Sequence, residues 1–152
     1  LTGGDVLTGR KIPGKRVLII GGGMVGLECA EFLAERDHEV TVVEIVDDVA
    51  RDMEPITKKL TMAGLNRLGV KILISAEISR FKANTAYIKT ENEEKQLGEF
   101  DSVVAAIGIS PVDDLVLPLR EKGLNVEIIG DAKKPGQIFN AVTDGYEAAV
   151  GI

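Results

Sequence analysis

Cysteine and histidine are almost missing from this sequence: Cys29 and His38 are single occurrences. A lone thiol forms no internal disulfide and has no C-x-x-C partner. With a single imidazole in the chain, no zinc or iron–sulfur centre can be assembled either, so no metal site is expected. Clustered Lys and Arg are missing as well. Asp and Glu number 24 against 18 Lys and Arg, a formal charge of −6. Nucleic acid and anionic membranes draw basic patches, so neither is expected as a partner. No apolar run reaches the roughly 20 residues that a membrane-spanning helix needs. No signal-peptide pattern opens the chain, and the expected location is the cytoplasm. The chain starts at Leu1 instead of Met, as a processed protein or an excised piece of a longer one would.

What is present is enough hydrophobic content for one core, 45% of 152 residues, and 17 glycines, whose spacing is informative in one stretch. Residues 15–44 read KRVLIIGGGMVGLECAEFLAERDHEVTVVE. Val17, Leu18, Ile19 and Ile20 form an apolar run without alternation, as in a strand covered on both faces. Gly21, Gly23 and Gly26 then fit G-x-G-x-x-G, with Gly22 inside the turn. The first permits a tight turn, the second lets the backbone approach a pyrophosphate, and the third lets helix and strand pack closely. The phosphates would sit on the helix N-terminus, with the backbone N–H groups of Met24 and Val25 as donors. Glu44, at the end of the strand EVTVVE and followed by Ile45, is placed to accept hydrogen bonds from the adenosine ribose hydroxyls. A tight turn with no ligand would not account for three glycines at these offsets, since each weakens a helix start.

The helix over residues 23–36 carries a small-residue face of Gly26, Cys29, Ala30 and Leu33, and Cys29 reads as buried packing. Asp37 stands where a left-handed residue must end the helix, and His38 reads as a solvated turn residue. A second helix starts near Pro55 and runs to Leu68, with an apolar row of Ile56, Leu60, Gly64 and Leu68. A strand at 70–75 completes β-α-β-α-β. Residues 76–97 alternate in short segments, as in an antiparallel meander. Residues 100–107 return to a buried strand ending at Gly108. A further strand is expected at 126–129, before Gly130 and Asp131, and a last helix over 138–150. Val126, Ile128 and Ile129, with Ile138, Val142, Tyr146 and Ala149 at helical spacing, expect burial, by folding back on the chain or in a homodimer.

On these residues the chain resembles the nicotinamide-binding module of two-dinucleotide flavoprotein oxidoreductases, the disulfide-reductase-like architecture. The elements that carry the resemblance are G-G-G-x-x-G-x-E-x-A over residues 21–30, Glu44, the meander, Ala105-Ala106-Ile107-Gly108 with Pro111 following, and Ile129-Gly130-Asp131-Ala132. G-D-A-K-K-P at 130–135 and D-G-Y-E-A-A at 144–149 narrow it to NADH:flavin oxidoreductases similar to dienoyl-CoA reductase, enoate reductase and trimethylamine dehydrogenase. The resemblance implies an α/β fold: a Rossmann-like, three-layer nicotinamide domain with a parallel sheet and an antiparallel meander, inserted into a flavin domain. Residues 1–14 would be the linker crossing into the insert, 15–107 the insert, and 108–152 the returning strand and helix of an incomplete FAD-binding domain.

By the same resemblance Gly130 and Asp131 belong to a flavin site, where the Asp accepts a hydrogen bond from the FAD ribityl chain. Ile107 and Gly108 line the cofactor crevice. Glu28 lies near the nicotinamide, although it reads equally well as an exposed carboxylate favoured near a helix start. The other half of the flavin domain, and the barrel and cysteine motif such relatives carry, are not in these residues. FAD is therefore expected in the parent protein and not in this chain alone. The implied reaction is hydride transfer from NADH to a flavin, which the cofactors carry while the protein orients them, with no catalytic side chain. NADH is expected over NADPH because Glu44 repels a 2′-phosphate and Asp47 and Asp48 add to that field, with Arg51 as the opposing signal. Two rival readings remain: a nucleotide-sensing regulatory domain without redox chemistry, and the cofactor domain of a flavin-independent dehydrogenase. The G-D-A segment speaks against the first, and the lack of evident acid–base residues against the second.

Overall fold

The computed structural model describes residues 1–91 and 93–151. The chain divides into two units, Leu1–Gly108 and a second from Ile109 onward. The first holds α1 (Gly3–Leu7), β1 (Arg16–Ile20), α2 (Met24–Ala34), β2 (Glu39–Val43), α3 (Pro55–Arg67), β3 (Lys71–Leu73), β4 (Glu77–Lys82), β5 (Thr85–Lys89), β6 (Glu94–Glu99) and β7 (Ser102–Ala105). The second holds α4 (Val116–Glu121), a 3-10 turn at Gly130–Ala132 and α5 (Ile138–Val150). Among the described residues no helix is long and apolar enough to cross a membrane.

A parallel sheet runs in the order β3-β2-β1-β7, and β4-β5-β6 form a separate antiparallel sheet. β1 is central, pairing Ile19 with Val42 on one side and with Val104 on the other. Its unalternating sequence follows from two cores. Val17 and Ile19 face the helices with Leu27, Leu33 and Leu65, while Leu18 joins Val43, Ala86 and Ile88 under the meander. Leu18 and Ile19 are fully buried, and shortening either to Ala is a loss of about 2–5 kcal/mol. The parallel neighbours β1 and β2 require a crossover, and α2 supplies it with Gly26, Leu27, Cys29, Ala30 and Leu33 turned inward. Cys29 donates its S–H to Gly3 O at 3.6 Å, and burial raises its thiol above the ordinary range. Asp37 takes φ 62°, the left-handed conformation that ends α2.

Several expectations from the sequence are corrected. Residues 1–14 read as a linker, yet they begin with an ordered helix. Thr2 Oγ1 accepts from the N–H of Asp5 and the Asp5 carboxylate accepts from the N–H of Thr2, both at 3.1 Å, a capping box with Asp in the far position. Those bonds and Lys11 hold the Asp5 carboxyl at about 2. Leu1 and Thr2 lie beside β7, where Ala105 N–H donates to Leu1 O at 2.8 Å and Thr2 bridges to Ala105. His38 is not a free turn residue: its Nδ1 lies 2.8 Å from Gly14 O and it is partly buried.

Of the apolar row expected on α3, Ile56, Leu60 and Leu68 are exposed and Gly64 alone is buried. Ile56 and Leu60 are each 69% exposed, while Gly64 and Leu65 are buried. The close approach to α2 decides the face, since Gly64 stands where a Cβ would touch the Glu31 carboxylate at 3.5 Å. α3 is capped by Glu54, which accepts from Ile56 and Thr57 N–H at 3.0 and 2.8 Å; these bonds lower its pKa. The strand expected at 126–129 is not formed. Ile129 is extended, with φ −132° and ψ 164°, but a strand needs a neighbour to pair with, and the described residues of the second unit contain no other strand.

Candidate functional site

A cleft of about 610 Å³ opens at the carboxyl ends of β1, β2 and β7, where the sheet order reverses from one side of β1 to the other. This is the position at which open α/β sheets bind ligands. The β1–α2 turn forms its floor. Gly21 N–H donates to Val43 O at 2.9 Å and Ala106 N–H to Ile20 O at 2.8 Å, so the turn is fixed to the strands on either side.

The four glycines of this turn do different work. Gly21 has φ 105°, and a Cβ there would lie 2.4 Å from Ala106 O. A Cβ on Gly26 would lie 2.0 Å from Gly21 O, so its absence lets α2 seat against β1. At Gly22 a Cβ would meet Val49 Cγ1 at 2.7 Å, beneath the segment after β2 that returns through Ala50 N–H to Gly22 O at 2.8 Å. Gly23 differs from all three. It caps α2 in extended backbone, φ −69° and ψ −177°, open to any residue, and a Cβ there meets nothing within 4 Å. Packing therefore asks for glycine at 21, 22 and 26 and is indifferent at 23.

α2 begins at Met24 with no side chain capping it. Its first-turn N–H groups have no intrahelical partner, and they and the positive helix end face the turn, an arrangement suited to a phosphate. Glu44 stands across the turn, accepting Gly22 N–H on Oε2 at 2.6 Å and Val46 N–H on Oε1 at 3.0 Å. Each oxygen keeps acceptor capacity for a further donor such as a ribose hydroxyl.

The expected site residues thus separate. Gly21, Gly23, Glu44, Ile45, Ile107 and Gly108 line one cleft. Gly22 lies beneath it, bonded to Glu44, and Met24, Val25 and Gly26 form the first turn of the helix above it. Glu28 is exposed further along α2 and is not among the residues lining this cleft. Gly130 and Asp131 belong to the second unit, where Gly130 N–H donates to Asp144 Oδ2 at 3.1 Å and Asp131 Oδ1 accepts Gly136 N–H at 3.2 Å.

Sequence reading missed the contribution of β4: Ala76, Glu77, Ile78 and Phe81 line the same cleft. It also missed Val49 and Ala50, which close over Gly22. Neither has a motif, since one arises from meander register and the other from a loop backbone with φ 42° at Ala50.

A second cleft of about 680 Å³ lies at the amino ends of β1, β2 and β3, with Arg16, His38 and Lys71 on its walls. Arg16 is committed to Asp101 at 2.8 Å and Glu99 at 3.3 Å, which raise its pKa further, and His38 to Gly14. The helix N-terminus and the glycine turn are at the other end of the sheet, so the smaller cleft is the candidate site.

The chain is similar to known proteins over nearly its whole length. The family described as pyridine nucleotide-disulphide oxidoreductase matches residues 2–137. NADH oxidase of Thermoanaerobacter brockii is 36% identical over 148 residues, covering 95% of this chain and 23% of that protein. Cinnamate reductase of Clostridium sporogenes is 35% identical over 153 residues, covering 97% and 23%. Among solved structures, 2-naphthoyl-CoA reductase in complex with 2-naphthoyl-CoA superposes with a TM-score of 0.83 at 26% identity, covering all of this chain and 23% of that one. Histamine dehydrogenase from Rhizobium sp. 4-9, at 22% identity and TM-score 0.85, covers 97% and 25% and shares the fold. The chain spans about a quarter of the length of these relatives.

Proposed function

This chain belongs to the pyridine nucleotide-disulphide oxidoreductase family, and on that premise we propose that it is the NADH-binding module of a larger flavin-dependent oxidoreductase. The observation that carries the reading is Gly23. Alone among the glycines of the turn it is required by neither packing nor backbone conformation, which leaves room for a ligand as its reason. The pyrophosphate would rest on the N–H groups of Met24, Val25 and Gly26, the adenosine ribose on Glu44 beside Ile45, and the nicotinamide half toward Ile107 and Gly108. The chemistry that the cofactors supply is hydride transfer from dihydronicotinamide to flavin. The role of this chain is to bind and orient the donor, and no side chain is asked to move a proton. Glu28, on the exposed side of α2, is assigned to the nicotinamide end only through the family resemblance.

Residues 15–107 are read as the nucleotide domain and 108–152 as part of a flavin domain, with residues 1–14 leading in. The second unit does not fit FAD by itself, because among its described residues there is no parallel sheet and no glycine turn between strand and helix. Gly130 and Asp131 would complete a flavin site only with residues outside this chain. Ile138, Val142 and Tyr146 on α5 are 85%, 64% and 70% exposed, a face to be covered by the missing flavin-domain half or by a second copy. Light scattering decides between these: a dimer supports the second copy, and a monomer at all concentrations rejects it.

NADH is the expected ligand over NADPH. Glu44 would face the 2′-phosphate, and both nearby cations are already engaged, Arg51 by Asp47 and Lys58 by Asp48 at 2.6 Å. Titrating both nucleotides against the chain should give NADPH at least about tenfold weaker, or about 1.4 kcal/mol. Tighter NADPH binding would reject the role given to Glu44. Addition of FAD to the NADH-bound chain should leave NADH oxidation at the uncatalysed rate, and saturable turnover would favour a self-contained enzyme instead.

A further inference from the structure

We propose that Phe81 contacts the nicotinamide half of the dinucleotide and forms the apolar wall at the β7 end of the cleft, an inference that rests on the reading of that cleft as an NADH site. The direction of β4 places it there. Ala76 N–H donates to Glu44 O at 3.0 Å, so β4 starts on the β2 side. From Glu77 to Phe81 the bulged strand advances as far as the three steps from Lys89 to Ala86 opposite it, about 10 Å, which is roughly the separation of β2 and β7 with β1 between them. Glu77 and Phe81 line one cleft, together with Ala106 and Ile107. β4 therefore runs along the length of the cleft, and Phe81 lies at the end away from Glu44. Glu44 marks the adenosine end, so the ring at Phe81 is the nicotinamide.

The orientation of Phe81 has a specific cause. Strict alternation would place Ile78 and Phe81 on opposite faces of β4. A bulge between Ile78 and Arg80 shifts the register, so that Ile78 stands opposite Ile88 and Phe81 opposite Ala86. Ile88 and Ala86 are both buried against the parallel sheet, which puts Ile78 and Phe81 on that same face. On the other side of the meander Ser79 Oγ donates to Glu94 Oε1 at 2.6 Å and lies 3.2 Å from Tyr87 O, and the Arg80 guanidinium lies 3.7 Å over the Tyr87 ring. These contacts hold the extra residue in place, and bulges beside sites serve to re-aim side chains in this way. Phe81 stays 45% exposed although Ala86 opposite it and Ile88 on the same face are buried, leaving an aromatic surface against which a flat ring can stack.

The test compares two ligands that differ by the nicotinamide alone. Dissociation constants for NADH and for ADP-ribose are measured on the full chain, on Phe81→Ala and on Phe81→Tyr. Phe81→Ala should weaken NADH by about tenfold and leave ADP-ribose within about twofold, with Phe81→Tyr close to wild type for both. Unchanged ADP-ribose binding also reports an intact fold. Equal losses for the two ligands, or no loss for NADH, would overturn the proposal. A wild-type chain that binds neither ligand would instead reject the NADH site on which it rests.

Discussion

Gly23→Val should abolish NADH binding while leaving the melting temperature within a few degrees of wild type. A side chain at Gly23 meets no protein atom at its Cβ, and its backbone is extended, so the fold loses only the difference between glycine and a poorer helix cap, about 1 kcal/mol or less. The ligand loses far more. The pyrophosphate has to approach the backbone at this position to reach the N–H groups of the first helical turn, and two added methyl groups hold it away from them. Gly23→Ala is the graded control, with weaker binding and an unchanged fold. Calorimetric titration and thermal unfolding of the same samples separate the two effects. Undiminished NADH binding by Gly23→Val would mean that the turn is structural and that the ligand, if any, lies elsewhere.

Gly26→Ala should do the reverse of this and act on the fold. Its Cβ would stand 2.0 Å from the Gly21 carbonyl oxygen, and neither atom is the end of a flexible side chain. α2 must move off β1, opening the packing of Leu27, Cys29 and Ala30 against the strands. Overpacking of this severity is a loss of about 3 kcal/mol, or roughly 10 °C of melting temperature. A melting temperature equal to wild type would show that α2 can shift at no cost and that the close contact at Gly26 does not hold the turn in shape. The pair of substitutions, three residues apart, assigns one glycine to the ligand and the other to the fold.

The β1–α2–β2 segment was legible because its determinants are local. An apolar run, glycines at fixed offsets and a left-handed Asp37 need no knowledge of distant residues. The meander and the return strand were legible for the same reason, through alternation and turn residues. Elements whose environment is set at a distance were not. The row of Ile56, Leu60 and Leu68 has the same period as a core face, and only the approach of α2 at Gly64 turns Leu65 inward instead. Residues 126–129 have strand composition, but composition does not supply a neighbouring strand. His38 is held by Gly14, which is 24 positions away in sequence. In the site, the glycines and Glu44 carried recognisable spacing, whereas Phe81 reached the cleft through a one-residue bulge that inverts what alternation would have assigned to it.

Backbone amide resonances observed during an NADH titration report whether a nicotinamide dinucleotide rests on the first turn of α2 with its adenosine ribose at Glu44. Saturable shifts are expected at Gly23, Met24, Val25 and Gly26, with smaller ones at Glu44 and Ile45, and no response around Arg16 and Lys71 at the opposite end of the sheet. Shifts confined to the cleft lined by Arg16, His38 and Lys71, with the amides of the glycine turn unmoved at saturating NADH, would contradict that placement.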